Sequence, residues 1–235
     1  MKVFFIVPYP QGVAPSQRFR FEHYLDYIRE QGVEFSVSSF LDLRAWNNLY
    51  KKGHLASKVW ATCKGFLRRL GDLFLVYRYD FIYIHREATP LGPAWFEWFA
   101  ARVFKKKIIY DFDDAIWIPT TSDNNRYIQV LRNFGKVKKI CRWSHLVVTG
   151  NEFLKNFATK YNANCLIIPT VVDTEYVHNR VKDQENIPAI IGWTGTFSTL
   201  QYLNMILPAI SEIQKKYKFQ FILIHHIENM DRAYR

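Results

Sequence analysis

The sequence predicts a parallel α/β sheet with helices on both faces, followed by a second, incomplete β-α-β unit. Two observations predict it. Short apolar, strand-like runs alternate strictly with longer segments of helical spacing. A polar, aperiodic stretch at 173–187 then interrupts the alternation before it restarts at Pro188.

Taken in order, the strand-like runs are Lys2–Val7, Glu34–Ser39, Asp80–Ile84, Lys107–Asp111, His145–Thr149 and Asn164–Pro169. Helical patterns lie between them at about 16–31, 54–78, 91–105, 124–142 and 150–161. Strands linked by helices in this way pair in parallel, with helices packed on both sheet faces. Residues 1–172 therefore form one domain and 173–187 a linker. Residues 188–235 open a second domain: a strand from Ala189, a small-residue loop Thr194-Gly195-Thr196, a helix with Leu200, Leu203, Ile206, Leu207, Ile210 and Ile213, and a strand at Phe219–Ile224. The apolar strands of this short unit invite edge pairing, so either dimerisation through it or partial disorder of it is expected.

In such sheets ligands bind beyond the carboxyl ends of the strands, so the following loops carry the candidate residues. The first loop, Pro8 to Arg20, has one glycine where a dinucleotide binder has three, which argues against a nicotinamide dehydrogenase. Ser16 is placed to cap the next helix, bringing Gln17, Arg18 and Arg20 into its first turns. Arg18 and Arg20 either bind an anionic ligand by paired hydrogen bonds or are simply solvated. The third run ends in His85-Arg86-Glu87, where the imidazole either shuttles a proton or hydrogen-bonds a hydroxyl, or is structural. Asp111-Phe112-Asp113-Asp114 carries three carboxylates in four residues. A divalent cation would take such oxygens, but pairing with Arg18, Arg20 or Arg86 fits the surrounding positive charge better. Thr149-Gly150-Asn151-Glu152 has the composition of a helix cap. Thr194, Gly195 and Thr196 precede the helix of the second unit, where backbone N–H groups suit a phosphate.

The formal net charge is +11 with a pI near 9.5, so acidic partners are expected. Lys51 to Arg78 holds seven Lys/Arg against the single acid Asp72, and Arg126 to Arg142 holds six against none. The 54–78 helix sets Leu55, Val59, Cys63, Phe66, Leu67, Leu70 and Phe74 on one arc, with Lys58, Lys64, Arg68 and Arg69 outside it. Two readings stay open: the apolar arc packs on the sheet with the cations in water, or these cations meet an anionic membrane surface. No nucleic-acid-binding motif is present, so nucleic acid is not an expected partner. Three cysteines without metal-type spacing, Cys63, Cys141 and Cys165, read as buried core thiols of a reducing compartment. No secretion signal or membrane-length apolar run is present. The expected location is cytoplasmic, or peripheral on the inner face of the cell membrane.

The order and spacing of these pieces resemble the two-domain GT-B glycosyltransferases, in particular glycosyltransferase family 4. The residues that carry the likeness are Pro15-Ser16-Gln17-Arg18-Phe19-Arg20, His85-Arg86-Glu87, Tyr110 to Trp117, Thr149-Gly150-Asn151 with Leu154, Ile168 to Asp173, and Ile191-Gly192-Trp193-Thr194-Gly195. The resemblance implies a Rossmann-like N-terminal domain for the acceptor and a C-terminal domain for a nucleotide-sugar, with sugar transfer between them. It implies retention at the anomeric carbon and no bound metal or other cofactor, the nucleotide-sugar being substrate. His85 and Asp111 become the catalytic candidates, Gln17, Arg18, Arg20, Arg86 and Glu87 acceptor-binding, and Thr194, Gly195 and Thr196 donor diphosphate-binding. Many relatives build surface polysaccharides on lipid carriers, which implies a lipid-linked saccharide acceptor. The family commonly places an Arg or Lys after the first strand of the second domain, and Thr194–Leu200 holds neither. The family's paired glutamates would lie beyond Arg235, so the resemblance covers the acceptor domain and only the opening of the donor domain. The alternative is a non-catalytic Rossmann-like module that docks to anionic membrane or to a partner enzyme.

Overall fold

A computed structural model describes residues 1–49, 53–119, 132–181, 188–195 and 197–225. Two compact units divide between His178 and Asn179. The first is built on a six-stranded, all-parallel sheet with strand order β2-β1-β3-β4-β5-β6. Its strands are β1 (Lys2–Val7), β2 (Glu34–Ser39), β3 (Phe81–His85), β4 (Lys107–Phe112), β5 (Leu146–Thr149) and β6 (Cys165–Ile167). The fold is a Rossmann-like α/β fold.

The pleat explains why the inner strands are apolar at nearly every position. Along β1, Phe4 and Ile6 enter one core with Ile82, Ile84, Ile108 and Tyr110, while Val3, Phe5 and Val7 enter a second with Phe21 and Leu25. A strand covered on both faces has no polar side to present. On the larger core pack α4 (Leu55–Leu73), α5 (Trp95–Trp98), α6 (Lys136–Trp143) and α7 (Glu152–Ala158). On the smaller core lie the segments around α1 (Pro15–Arg20) and α2 (Leu25–Glu30). The chain runs from β1 outward to β2 and then back past β1 to β3. Its direction therefore reverses between β1 and β3, the switch point where such sheets open a crevice at their carboxyl ends.

One helix departs from the sequence reading. Of the apolar arc that one of the two readings packed on the sheet from α4, Leu55, Val59, Leu67, Leu70 and Phe74 are exposed, as is Cys63, while Phe66 is half-buried against Phe40 and Trp95. The inward side carries Gly65, Arg69, Asp72 and Leu73. Arg69, expected at a membrane surface, is completely buried. Its Nε donates to Ala88 O at 2.7 Å, its Nη2 to Val7 O at 2.7 Å, and its Nη1 to Asp72 Oδ2 at 2.7 Å and Ser38 Oγ at 3.0 Å. The guanidinium fork gives the Ala88 carbonyl, just past β3, a donor and adds a second one to Val7 O, which also accepts from Phe40 N at 2.8 Å. Burial pulls the Arg69 pKa down, while Asp72 beside it pulls the other way. Gly65 lets the helix come close, because a Cβ there would stand 2.6 Å from the Phe40 ring.

Three further expectations are corrected. Cys63 is exposed because it sits on this outward arc, whereas Cys141 and Cys165 are buried. A helix not anticipated, α3 (Leu43–Leu49), begins where Asp42 Oδ1 accepts from Ala45 N at 2.9 Å. Of the 124–142 helical pattern, Lys136–Trp143 is helical and 124–131 lies outside the described residues.

The second unit pairs β7 (Ala189–Gly195) with β8 (Phe219–His225) in parallel, joined through a 3-10 segment and α8 (Leu203–Gln214). Among the described residues no helix is long and apolar enough to cross a membrane.

Candidate functional site at the sheet switch point

The loop after β1 is held in shape by one side chain. Gln17 is fully buried and donates from Nε2 to Tyr9 O at 3.0 Å and to Glu22 Oε1 at 2.6 Å, while its Oε1 accepts from Tyr9 N at 3.3 Å. Its amide is thus engaged within the loop rather than offered to an acceptor. Helix α1 starts at Pro15, whose missing N–H is no loss at a first position, and Ala14 occupies the cap. Ser16, read as that cap, is instead inside the helix. Its hydroxyl is free to reach the end of β3.

There it meets a chain of four side chains from β1's loop, β3 and β4. Ser16 Oγ lies 3.1 Å from His85 Nε2, and His85 Nδ1 lies 2.9 Å from Asp111 Oδ2. Arg20 Nε approaches the two Asp111 oxygens at 3.1 and 3.3 Å, its Nη2 also pairs with Oδ1, and its Nη1 donates to Ile168 O. His85 and Asp111 are completely buried and Arg20 is nearly so. Parallel pairing sets His85 directly beside Asp111 in register. Burial alone would push the Asp111 carboxyl up, but the hydrogen bonds from His85 and Arg20 outweigh it and hold it below the usual carboxylate range. Burial opposes the Arg20 charge, and Asp111 more than restores it, so its pKa is raised. With Asp111 ionised, His85 Nδ1 donates to it, and the other ring nitrogen faces the Ser16 hydroxyl.

The neighbouring residues divide into two groups. Arg86 has a left-handed backbone, φ 61°, unusual outside glycine and costing about 1 kcal/mol. That turn sends its Nη1 to Asp114 Oδ2 at 2.8 Å and to within 3.9 Å of Asp113 Oδ1. Asp113 Oδ1 is buried yet accepts no hydrogen bond. Arg18 is exposed, its guanidinium over the Phe19 ring, with no ion pair among the described residues. Glu87 turns the opposite way, toward Lys136 Nζ at 2.9 Å and Arg132 Nη2 at 3.7 Å, anchoring α6 rather than facing a ligand. Pro10 and Gln11 of the first loop, with Ser38, Ser39, Asp42 and Arg68, line an open cleft of about 350 Å³, a size suited to a small ligand.

The remaining candidates lie elsewhere. Asn151 caps α7, its Oδ1 accepting from Leu154 N at 3.0 Å. Thr194 and Gly195 are the last residues of β7 rather than a loop, and the α-helix starts only at Leu203; Thr196 lies outside the described residues. A side chain at position 195 would collide with Trp193 at 2.4 Å, so glycine is required there for packing. Among the described residues no three His, Cys, Asp or Glu side chains cluster as metal ligands. The carboxylates of the Asp111–Asp114 run diverge: Asp111 to Arg20 and His85, the other two to Arg86. The contact of Ser16 with His85 was missed because the two lie 69 residues apart in sequence. The chain matches no protein-family model and no curated protein.

Proposed function

We propose that the protein is a glycosyltransferase of GT-B type, with the first unit binding a saccharide acceptor and the second unit opening the nucleotide-sugar side. One observation carries this reading. A buried imidazole, fixed by Asp111 and Arg20, ends in a hydroxyl at the β1/β3 switch point, next to a buried carboxylate oxygen that lacks a donor. Sugar hydroxyls both donate and accept, so they suit such a surface. A hydroxyl of the acceptor or of the transferring sugar would donate to Asp113 Oδ1. Another would take the place of the Ser16 hydroxyl at His85 Nε2, and Arg18 would contribute charge to an anionic group of the acceptor. The lipid-linked nature of the acceptor, retention of configuration and independence of metal belong to the same proposal.

The test measures nucleoside diphosphate release from a panel of sugar nucleotides with a lipid-linked saccharide acceptor, alongside saccharide binding followed by ligand-detected NMR. His85→Ala lowers turnover by about 10²-fold or more, the scale of losing a positioned proton-transferring group. Arg18→Ala weakens acceptor binding without changing the fold. No turnover across the panel and no saccharide binding would refute the reading.

A second reading is favoured by one feature, the Asp111–His85–Ser16 order of carboxylate, imidazole and hydroxyl. That order activates a serine nucleophile in hydrolases. Arg20 counts against it, since a guanidinium on Asp111 weakens the support for an imidazolium. Labelling of Ser16 by a fluorophosphonate, abolished in Ser16→Ala, would favour the hydrolase over the transferase.

A further inference from the structure

We propose that the outer face of α4 is a docking face for an anionic lipid bilayer. The observation is the orientation of this helix: the paired Arg69 and Asp72 point into the protein beside Gly65 and Leu73, and most of its large apolar side chains point out. Over 19 residues, about 28 Å of helix at ~1.5 Å per residue, the outward side presents Val59, Trp60, Leu67, Leu70 and Phe74 at 48–75% exposure. Helices of water-facing surfaces show the opposite arrangement. The inward side is settled by the Arg69 hydrogen bonds and by the close approach at Gly65, so rotating the helix to bury the apolar arc would strip the Ala88 carbonyl of its donor.

The apolar face continues past the helix end. Tyr77 is exposed, and its carbonyl accepts from Lys106 Nζ at 3.0 Å, which ties it to the π-helical turn Phe99–Val103 that follows α5. That turn exposes Trp98, Phe99 and Val103. Exposed cations border both segments: Arg78 beyond α4, and Arg102, Lys105 and Lys107 beyond the π turn. The acids of these two segments, Asp72 and Glu97, are buried. The arrangement is thus aromatic and aliphatic side chains rimmed by cations, the composition of a helix lying in the headgroup region.

Charge decides the occupant. A second copy of the chain would bring the same cationic rim and the same net +11, placing like charges against like. An anionic bilayer brings the opposite charge together with an apolar layer beneath it. The inference rests on α4 and its neighbour alone and requires nothing of the reaction, so its failure would leave the sugar-transfer reading untouched.

The face carries its own probe site. Cys63 is the exposed cysteine, and Cys141 and Cys165 are buried, so an environment-sensitive maleimide dye labels the docking face in the native chain. Vesicles of phosphatidylglycerol and phosphatidylcholine in equal parts are expected to raise and blue-shift the dye emission, and phosphatidylcholine alone to do so far less. Leu67→Glu and Phe74→Glu each lower the apparent vesicle affinity by about tenfold or more, as loss of a buried large apolar side chain implies. Both side chains are more than half exposed, so the variants keep the parent circular dichroism and melting temperature. Arg102→Glu lowers affinity for the anionic vesicles alone. The proposal is overturned by absence of vesicle binding, or by binding indifferent to Leu67→Glu and Phe74→Glu. It is equally overturned if the dye responds to protein concentration without vesicles and light scattering shows a dimer.

Discussion

Replacing Arg69 with Met tests whether the guanidinium pins α4 to the sheet. The change keeps the aliphatic stem but removes hydrogen bonds to Val7 O, Ala88 O, Ser38 Oγ and Asp72 Oδ2. Asp72, only 6% exposed, is left without its cation. Removing one partner of a buried ion pair costs about 3–5 kcal/mol. The Ala88 carbonyl also loses its donor, while Val7 O keeps Phe40 N, and terms in one network do not sum. A loss of at least about 3 kcal/mol follows from the broken pair. With a urea slope of about 2 kcal/mol/M, the unfolding midpoint followed by far-UV circular dichroism falls by about 1.5 M or more. The double variant Arg69→Met, Asp72→Leu regains part of the loss, because no charge is then buried alone. A loss below about 1 kcal/mol in the single variant would refute this account of the helix orientation, since surface arginines cost that little.

Further outcomes follow from individual residues. Gly65→Ala destabilises by about 1–3 kcal/mol despite the better helix propensity of alanine, because the Phe40 ring that the new methyl meets is itself buried; a urea midpoint checks it. Burial pushes the Glu97 carboxyl above its ordinary value of 4.5, and its Oε2 has no partner. The group therefore favours the fold below its unfolded pKa and opposes it as pH rises. Glu97→Gln should raise the melting temperature at pH 7.5 and lose that advantage near pH 4. Asp111 has the opposite sign: its folded pKa is depressed, so its contribution is present above its ordinary value of 3.8 and is lost as pH falls through the folded value. Asp111→Asn flattens the acid limb of the stability curve measured by urea titration. Burial holds the Cys141 thiol at about 12, so maleimide at pH 7 labels Cys63 in the native protein and all three cysteines after denaturation, read by mass spectrometry.

Much of the first sheet was legible because its inner strands are buried on both faces and read as continuous apolar runs, while the edge strand β2 alternates as Glu34-Phe35-Ser36-Val37-Ser38. Lys2–Val7 and Glu34–Ser39 coincide with β1 and β2 to the residue, and the other strands differ by a residue or two at their ends. The orientation of α4 was not legible. Helical periodicity identifies an apolar arc but cannot say that an Arg and an Asp three residues apart will pair inward beneath two strand-end carbonyls. At the site, charge pattern pointed to arginine pairing for the Asp111–Asp114 run, but the choice of Arg20 for Asp111 and Arg86 for Asp114 depends on tertiary distance. The burial of Gln17 and the turn of Glu87 toward Lys136 depend on tertiary packing in the same way. The Asp42 cap of α3 did carry a local signal, an acidic residue just before a short helical run.

Arg20 grips two things at once: the carboxylate that orients the imidazole, and the Ile168 carbonyl just past β6, where the chain begins its path toward Asn179. The carboxylate beside the imidazole and the exit of β6 are therefore fastened by one side chain, and a single substitution at Arg20 would loosen both.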